Sequence, residues 1–238
     1  MADRIAKIIA RSGVCSRREA EDLILQQRVT VNGETITTPA YNVESFDVIL
    51  IDGEKLPTLE PTRLWLYYKP VGLLTTHKDE HNRATVFDNL PAGLPRVISV
   101  GRLDVNSEGL LLLTNNGELA RKLELPENGW SRRYKVRVHG RLNEKKLAEL
   151  SEGVCIDGVQ YGSIKVEIES RNGSNSWLLV TLHEGKNREV RKLMKYAGLE
   201  VARLIRISYG PFQLGRLKKG AVSEVPQKVI KEQLGNKL

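Results

Sequence analysis

Residues 97–120, VISVGRLDVNSEGLLLLTNNGELA, join two apolar runs through a polar loop flanked by glycines. Apolar runs of four to eight residues bounded by turn formers read as buried strands. VISV and GLLLL are therefore expected to be core strands that hold the loop GRLDVNSE between them. In that loop a carboxylate, Asp104, lies between Arg102 and Asn106. Loops on rigid scaffolds can expose polar atoms that a core strand cannot, so Asp104 is the leading candidate for a site residue. Spacing alone leaves a second reading open, in which Asp104 closes a turn on its own backbone.

The chain on either side repeats the pattern of short strands. RLWLYYKP (63–70) reads as a strand ended by Pro70, and Gly72 turns the chain into LLTT. Tyr134, Val136 and Val138 alternate with Arg133, Lys135 and Arg137, which predicts a strand with one apolar and one basic face. Ile164, Val166 and Ile168 alternate likewise, and SWLLVTLHEG (176–185) is nearly continuously apolar. Helices are expected near 117–123 and 143–151. A further helix should be capped by Asn187, bury Val190, Leu193, Met194 and Ala197, show Arg188, Arg191 and Lys195 as a basic stripe, and stop at Gly198. VARLIRISYGPF (201–212) reads as one more strand before a Lys-rich end. Hairpin-length connections with interspersed helices predict an α+β domain with a mixed, mainly antiparallel sheet over 63–238.

The first 51 residues differ. Ile5, Ile8 and Ile9 share one face of a short helix, and Arg4, Lys7 and Arg11 another. Ser16 and Glu19 form a capping box for a second helix buried through Ala20, Leu23 and Ile24. Arg17 and Arg18 follow that cap at once, against the helix dipole, which makes sense if an anion such as phosphate shares the site; a solvated pair compensated by Glu21 and Asp22 is the competing reading. VTVNGETI then turns at Asn32-Gly33. Residues 52–62, DGEKLPTLEPT, read as a linker.

The chain has 238 residues and a net charge of +8, which favours an acidic partner such as nucleic acid. Residues 1–60 carry seven Lys or Arg against ten Asp or Glu, and residues 61–238 carry thirty against nineteen, so the polyanion is expected mainly on the second part. Cys15 and Cys155 stand alone, outside any zinc or disulfide pattern, and fit a reducing cytoplasm. His77 and His81 read as loop residues, not ligands. No apolar run reaches membrane-spanning length, and MADRIAKIIARSG has no cleavage pattern, so neither a membrane segment nor a signal peptide is expected. Phosphate-loop, dinucleotide and metal-ligand patterns are not found, so the chemistry is expected to run on side chains, with no cofactor and no metal.

GRLDVNSEGLLLLTNNGELA resembles the signature segment of the pseudouridine synthases of the RsuA/RluB group, and its wording is slightly nearer the large-subunit, RluB-like members. KPVGLLTT (69–76), SRRYKVRVHG (131–140) and EGKNREVRKLM (184–194) extend the likeness in family order. Residues 4–36 resemble the helix-helix-hairpin RNA-binding module first named for small-subunit ribosomal protein 4. That second resemblance implies that Arg4, Lys7, Arg11, Arg17, Arg18 and Arg28 line an RNA-facing side.

The family resemblance implies the isomerisation of uridine in RNA. Uracil is detached at its N1–C1′ bond, turned, and rejoined through C5, after the nucleotide has been flipped into a pocket. It assigns the central step to Asp104, by attack on C1′ or by removal of the 2′ proton. Arg191, with Arg188 as second choice, is the implied cation beside Asp104. Tyr134 is the implied active-site tyrosine, Arg102 the residue that fills the gap left by the flipped base, and Leu204 the apolar residue under the uracil. Lys69 and the basic strand face are expected to position phosphates. The expected protein is a cytoplasmic monomer acting on ribosomal RNA or an assembly intermediate, most closely the large-subunit 23S RNA. A small-subunit 16S enzyme, a transfer RNA enzyme and a non-catalytic assembly factor are the alternatives.

Overall fold

The computed structural model describes residues 2–235, which divide into two compact units. The first unit runs to Arg63 and takes in Gly93–Ile98 and Asn115–Gly117. It begins with helices α1 (Ile5–Arg11) and α2 (Arg17–Leu25). Both halves of the capping box form: Glu19 N–H donates to Ser16 Oγ at 3.2 Å, and Ser16 N–H donates to the Glu19 carboxylate at 2.8 Å. Strands β1 (Val29–Val31) and β2 (Glu34–Thr35) meet at Asn32-Gly33, whose φ angles of 51° and 89° suit the primed turn of a two-residue hairpin. Strand β3 (Ile49–Ile51) pairs with β1 and returns through Asp52-Gly53 into β4 (Glu54–Lys55). Ile5, Ile9, Ile24 and Val29 are wholly buried in the core of this unit, with Ile8 and Leu23 at its edge.

Residues 52–55 thus belong to a hairpin rather than to a linker, because a second Asx-Gly pair supplies the turn. The irregular stretch starts at Leu56.

The second unit is built on one large sheet. Its strands are β5 (Leu64–Lys69), β6 (Glu108–Thr114), β7 (Arg132–His139), β8 (Lys165–Asn172), β9 (Asn175–Leu182), β10 (Glu200–Tyr209) and β11 (Val222–Glu224). They lie in the order β8-β9-β7-β10-β6-β5-β11. All neighbours are antiparallel except β10 and β6, which pair in parallel at Ile205↔Glu108 and Arg206↔Gly109. Strand β6 sits inside the sheet, and Leu110, Leu111, Leu112 and Leu113 are all 0% exposed. A strand covered on both faces loses the alternation that marks a half-exposed one. Truncating one of these leucines to Ala would cost about 2–5 kcal/mol.

Helices α3 (Gly117–Glu124), α4 (Glu144–Glu149), α5 (Glu189–Tyr196) and α6 (Gln227–Leu234) accompany the sheet. Three local expectations are corrected. VISV yields only a two-residue strand, Ile98–Ser99, since Gly101 and the loop behind it take the chain out of extended pairing. Helix α5 is capped not by Asn187 but by Arg188, in the left-handed conformation at φ 51°. The Lys-rich end contains α6, which buries Ile230 and Leu234. Among the described residues no helix is long and apolar enough to cross a membrane.

Candidate active site

Strand β5 ends at Lys69 because Pro70 has no N–H to continue the ladder. Lys69 is 0% exposed, and its ammonium spends its three donors on the carbonyls of Pro70 (3.0 Å), Asp104 (3.1 Å) and Ser107 (3.0 Å). Burial lowers its pKa to about 8, against the pull of Asp104 and Glu108. Other donors complete the pattern. Thr75 Oγ1 donates to Leu103 O at 2.9 Å, Gly72 N–H to Val105 O at 2.7 Å, and Arg191 Nη2 to Asn106 O at 2.9 Å. Each carbonyl from residue 103 to residue 107 is therefore held by a donor from β5, from the segment after it, or from α5. The backbone of this loop is fixed, while the side chain of Asp104 is left for other work.

The loop is pinned at its far end by Glu108. Its carboxylate is 2% exposed and bonds to Arg203 (2.5 Å), Lys219 (2.8 Å) and the Tyr68 hydroxyl (3.1 Å). Burial alone would raise the pKa of Glu108, but Arg203 and Lys219 reverse it and hold the group at about 2. Gly109 follows at φ 107°, where a Cβ would lie 2.3 Å from Arg206 O. Only glycine lets β6 approach β10 so closely.

The Asp104 side chain opens on a cavity of about 800 Å³ lined also by Arg102, Tyr134, Arg188, Leu204 and Arg206. The cation nearest its carboxylate is Arg188, with Nη1 3.8 Å from Oδ2. The expected order of the two arginines is thus reversed. Arg191 donates to Val201 O and Asn106 O, because the left-handed turn at Arg188 swings that residue, not Arg191, toward the carboxylate. Tyr134 and Leu204 are 9% and 5% exposed and line the same cavity. Arg102 is exposed and lines both this cavity and a neighbouring one of about 590 Å³, where Asn187 and Arg188 also lie. Lys69 is corrected from a phosphate contact to a buried clamp. On the basic strand face, Lys135 pairs with Glu169 at 2.8 Å.

Several site residues escaped the sequence reading. Arg132 shares a strand face with Tyr134, and Arg206 with Leu204, so strand alternation applied to the two residues that the resemblance supplied would have pointed to both arginines. Glu189 is 4% exposed and raised to about 8 by burial and by the adjacent Glu184 carboxylate. Nothing in its helical spacing marks it.

In the first unit, Arg4 donates to Ala40 O, Lys7 pairs with Asp3, and Arg28 grips Asp52 through two nitrogens. Arg11 donates to Glu60 O and Asn115 O, and Arg17 lies 3.6 Å from Glu21. Arg18 is exposed. His77 stacks on Phe87. Among the described residues no group of three or more His, Cys, Asp or Glu is placed to hold a metal ion.

The chain is similar to known proteins over most of its length. Residues 63–196 match the RNA pseudouridylate synthase family, and residues 3–49 match the S4 domain. An RNA pseudouridine synthase of Rickettsia felis, itself uncharacterized, is 51% identical over 229 residues, covering 96% of this chain and 99% of its own. Ribosomal large subunit pseudouridine synthase B of Yersinia pestis is 41% identical over 235 residues, covering 96% of this chain and 74% of its own. A crystal structure of a pseudouridylate synthase superposes with a TM-score of 0.69 at 26% identity, covering 97% of this chain and 99% of that one. On that coverage and identity the chain belongs to the RNA pseudouridylate synthase family, in its RsuA/RluB group, with an S4 domain ahead of the catalytic one.

Proposed function

We propose that this pseudouridine synthase isomerises a specific uridine of large-subunit ribosomal RNA, in the cytoplasm, as a monomer without a cofactor. The relatives named for the large ribosomal subunit support the substrate, and the S4 match supports an RNA-binding module in front of the catalytic domain. We take residues 1–55 as that module, 56–62 as its connection and 63–238 as the catalytic domain, with Arg4, Lys7, Arg11, Arg17, Arg18 and Arg28 on the RNA-facing side. The observation that carries the catalytic reading is the clamped loop, whose five consecutive carbonyls are all bonded while Asp104 opens on a cavity shared with Tyr134 and Leu204.

In this reading the flipped uridine packs between Tyr134 and Leu204. The Asp104 carboxylate either takes C1′ or removes the 2′ proton as the C1′–N1 bond breaks. The uracil turns and C5 bonds to C1′ as the Asp104–C1′ bond breaks or as Asp104 returns the 2′ proton; the C5 proton is then removed near the Tyr134 phenol and N1 takes up a proton. Arg188 is the cation that orients Asp104, Arg191 keeps the loop in place, and Arg102 enters the space vacated by the base. The steps are redox-neutral and need no further reactant.

The test is pseudouridine mapping of both ribosomal RNAs from cells lacking the protein, complemented with it or with Asp104→Asn. Loss of one large-subunit pseudouridine, restored only by the unsubstituted protein, is the expected result. A lost site in the small-subunit RNA or in transfer RNA would move the substrate there. Deleting residues 1–60 should abolish site selection, and unchanged selection would remove the RNA-binding role of that segment.

A further inference from the structure

Arg206 has no part in the chemistry described so far, yet it lies at the centre of the sheet beneath the cavity. Its Cα pairs with Tyr134 across β7 and with Gly109 across β6, so its side chain shares the cavity-lining face with the tyrosine. The residue is 3% exposed. Nε donates to Leu110 O at 2.7 Å, and the guanidinium carbon lies 5.1 Å from the Tyr209 ring centroid. Arg132 covers the same ring at 4.8 Å. Its own donors go to Trp130 O, His183 O and the Tyr209 hydroxyl. Among the described residues neither arginine pairs with a carboxylate. Arg206 Nη2 is buried and has no hydrogen-bond partner at all.

A desolvated guanidinium with no carboxylate partner is costly to maintain unless an anion completes it. The reaction offers such a partner. When the C1′–N1 bond breaks, its electron pair leaves with the uracil, and the charge spreads from N1 onto O2 and O4. The electrons return when the C5–C1′ bond forms, and the proton lost from C5 is matched by one taken up at N1. Uridine and pseudouridine are neutral, so only the detached ring is anionic.

We propose that the cavity-lining guanidinium of Arg206 donates to a carbonyl oxygen of the uracil ring and stabilises the anion formed between cleavage and rejoining. Such a contact is stronger in the transition state than with bound substrate, so it lowers the barrier without tightening RNA binding. A contact to the RNA phosphate would do the reverse. The proposal rests on the isomerase activity of the family and not on which RNA is the substrate.

The experiment uses whichever RNA the unsubstituted full-length protein modifies in total RNA from cells lacking it. If that RNA is not ribosomal, the substrate reading fails and the Arg206 test still proceeds. Single-turnover cleavage of the C1′–N1 bond is measured on that RNA transcribed with uridine and with 5-fluorouridine, whose fluorine stabilises the uracil anion by itself. Arg206→Gln should slow the uridine RNA by about 10²–10³-fold, with RNA affinity unchanged, and should slow the fluorinated RNA clearly less. Arg206→Lys should restore part of the rate and, should the glutamine variant fail to fold, carries the same two-substrate comparison. Equal loss on both RNAs would assign Arg206 a structural role only. Weaker RNA binding at an unchanged rate would assign it to the phosphate; either result overturns the proposal.

Discussion

Asp104 and Glu108 are carboxylates four residues apart, one within the loop and one at the first position of β6, and the protein treats them in opposite ways. Glu108 is 2% exposed, bonded to two cations and a phenol, and held at about 2. Asp104 is 30% exposed at its side chain, and its nearest cation is 3.8 Å away. The difference separates a carboxylate whose bonding capacity is used up in holding the loop from one fixed through its backbone, with a single cation beside its oxygens. Catalysis needs the second kind, because an oxygen already engaged by several donors is a poor nucleophile or base. The fixed backbone keeps that free oxygen from wandering.

The strongest attempt to break this comparison is Asp104→Asn. Removing the reactive group should cost about 10³-fold or more in turnover. An exposed side chain that carries no fold should change stability by about 0.5 kcal/mol or less. A large fall in the denaturation midpoint would show that Asp104 is structural after all.

Lys69→Met tests the other half of the argument. It keeps much of the stem volume and removes the ammonium that bonds Pro70, Asp104 and Ser107. With those carbonyls unpaired, stability should fall by about 3 kcal/mol. A loosened loop should lose about 10²-fold in turnover with RNA affinity retained. Lost affinity with normal turnover would return Lys69 to the phosphate role expected from sequence.

The history of Lys69 shows where sequence reading stops. A lysine beside a proline in a basic protein reads as a surface cation, because lysine is seldom buried. Its burial depends on carbonyls 35 and 38 residues further along, which no local pattern announces. The four leucines of β6 were legible because a continuous apolar run bounded by glycine and Thr114 has few other uses. The capping box at Ser16 and Glu19 and the turn at Asn32-Gly33 were legible because their chemistry is local. The resemblance put Arg191 before Arg188 as the cation beside Asp104, and the structure sets Arg188 nearer the carboxylate. Their order depends on a left-handed residue at the helix start, and arginine does not advertise that conformation.

Glu108→Gln examines the holding carboxylate through pH. A folded pKa of about 2, below the ordinary 4.5, means that Glu108 contributes stability fully above pH 4.5. That contribution is lost as pH falls from there toward 2. The glutamine variant should be less stable by about 3 kcal/mol at neutral pH and should show a flatter loss of stability in acid. Parallel midpoint curves for parent and variant from pH 5 to pH 2 would mean that the ion pairs contribute no net stability.

An effect of opposite sign, a gain in stability, is expected from Glu189→Gln, and it sharpens the comparison from a third side. Glu189 is nearly as buried as Glu108, yet its pKa is raised to about 8 where that of Glu108 is lowered to about 2. Burial is common to both, so the partners decide the direction. Glu108 meets Arg203 and Lys219, whereas Glu189 accepts the Lys186 N–H at 2.9 Å and faces Glu184, whose own cation is Lys186. The folded protein therefore holds a proton on Glu189 that the unfolded chain releases near pH 4.5. Stability from this group is complete below pH 4.5 and declines as pH rises through about 8. Glutamine imitates the protonated acid and cannot ionise. Parent and variant should thus have matching denaturation midpoints at pH 5, and the variant should gain an increasing advantage up to pH 9. Equal midpoints throughout that range would show that Glu189 is ionised in the folded protein, and that burial beside Glu184 is compensated by Lys186.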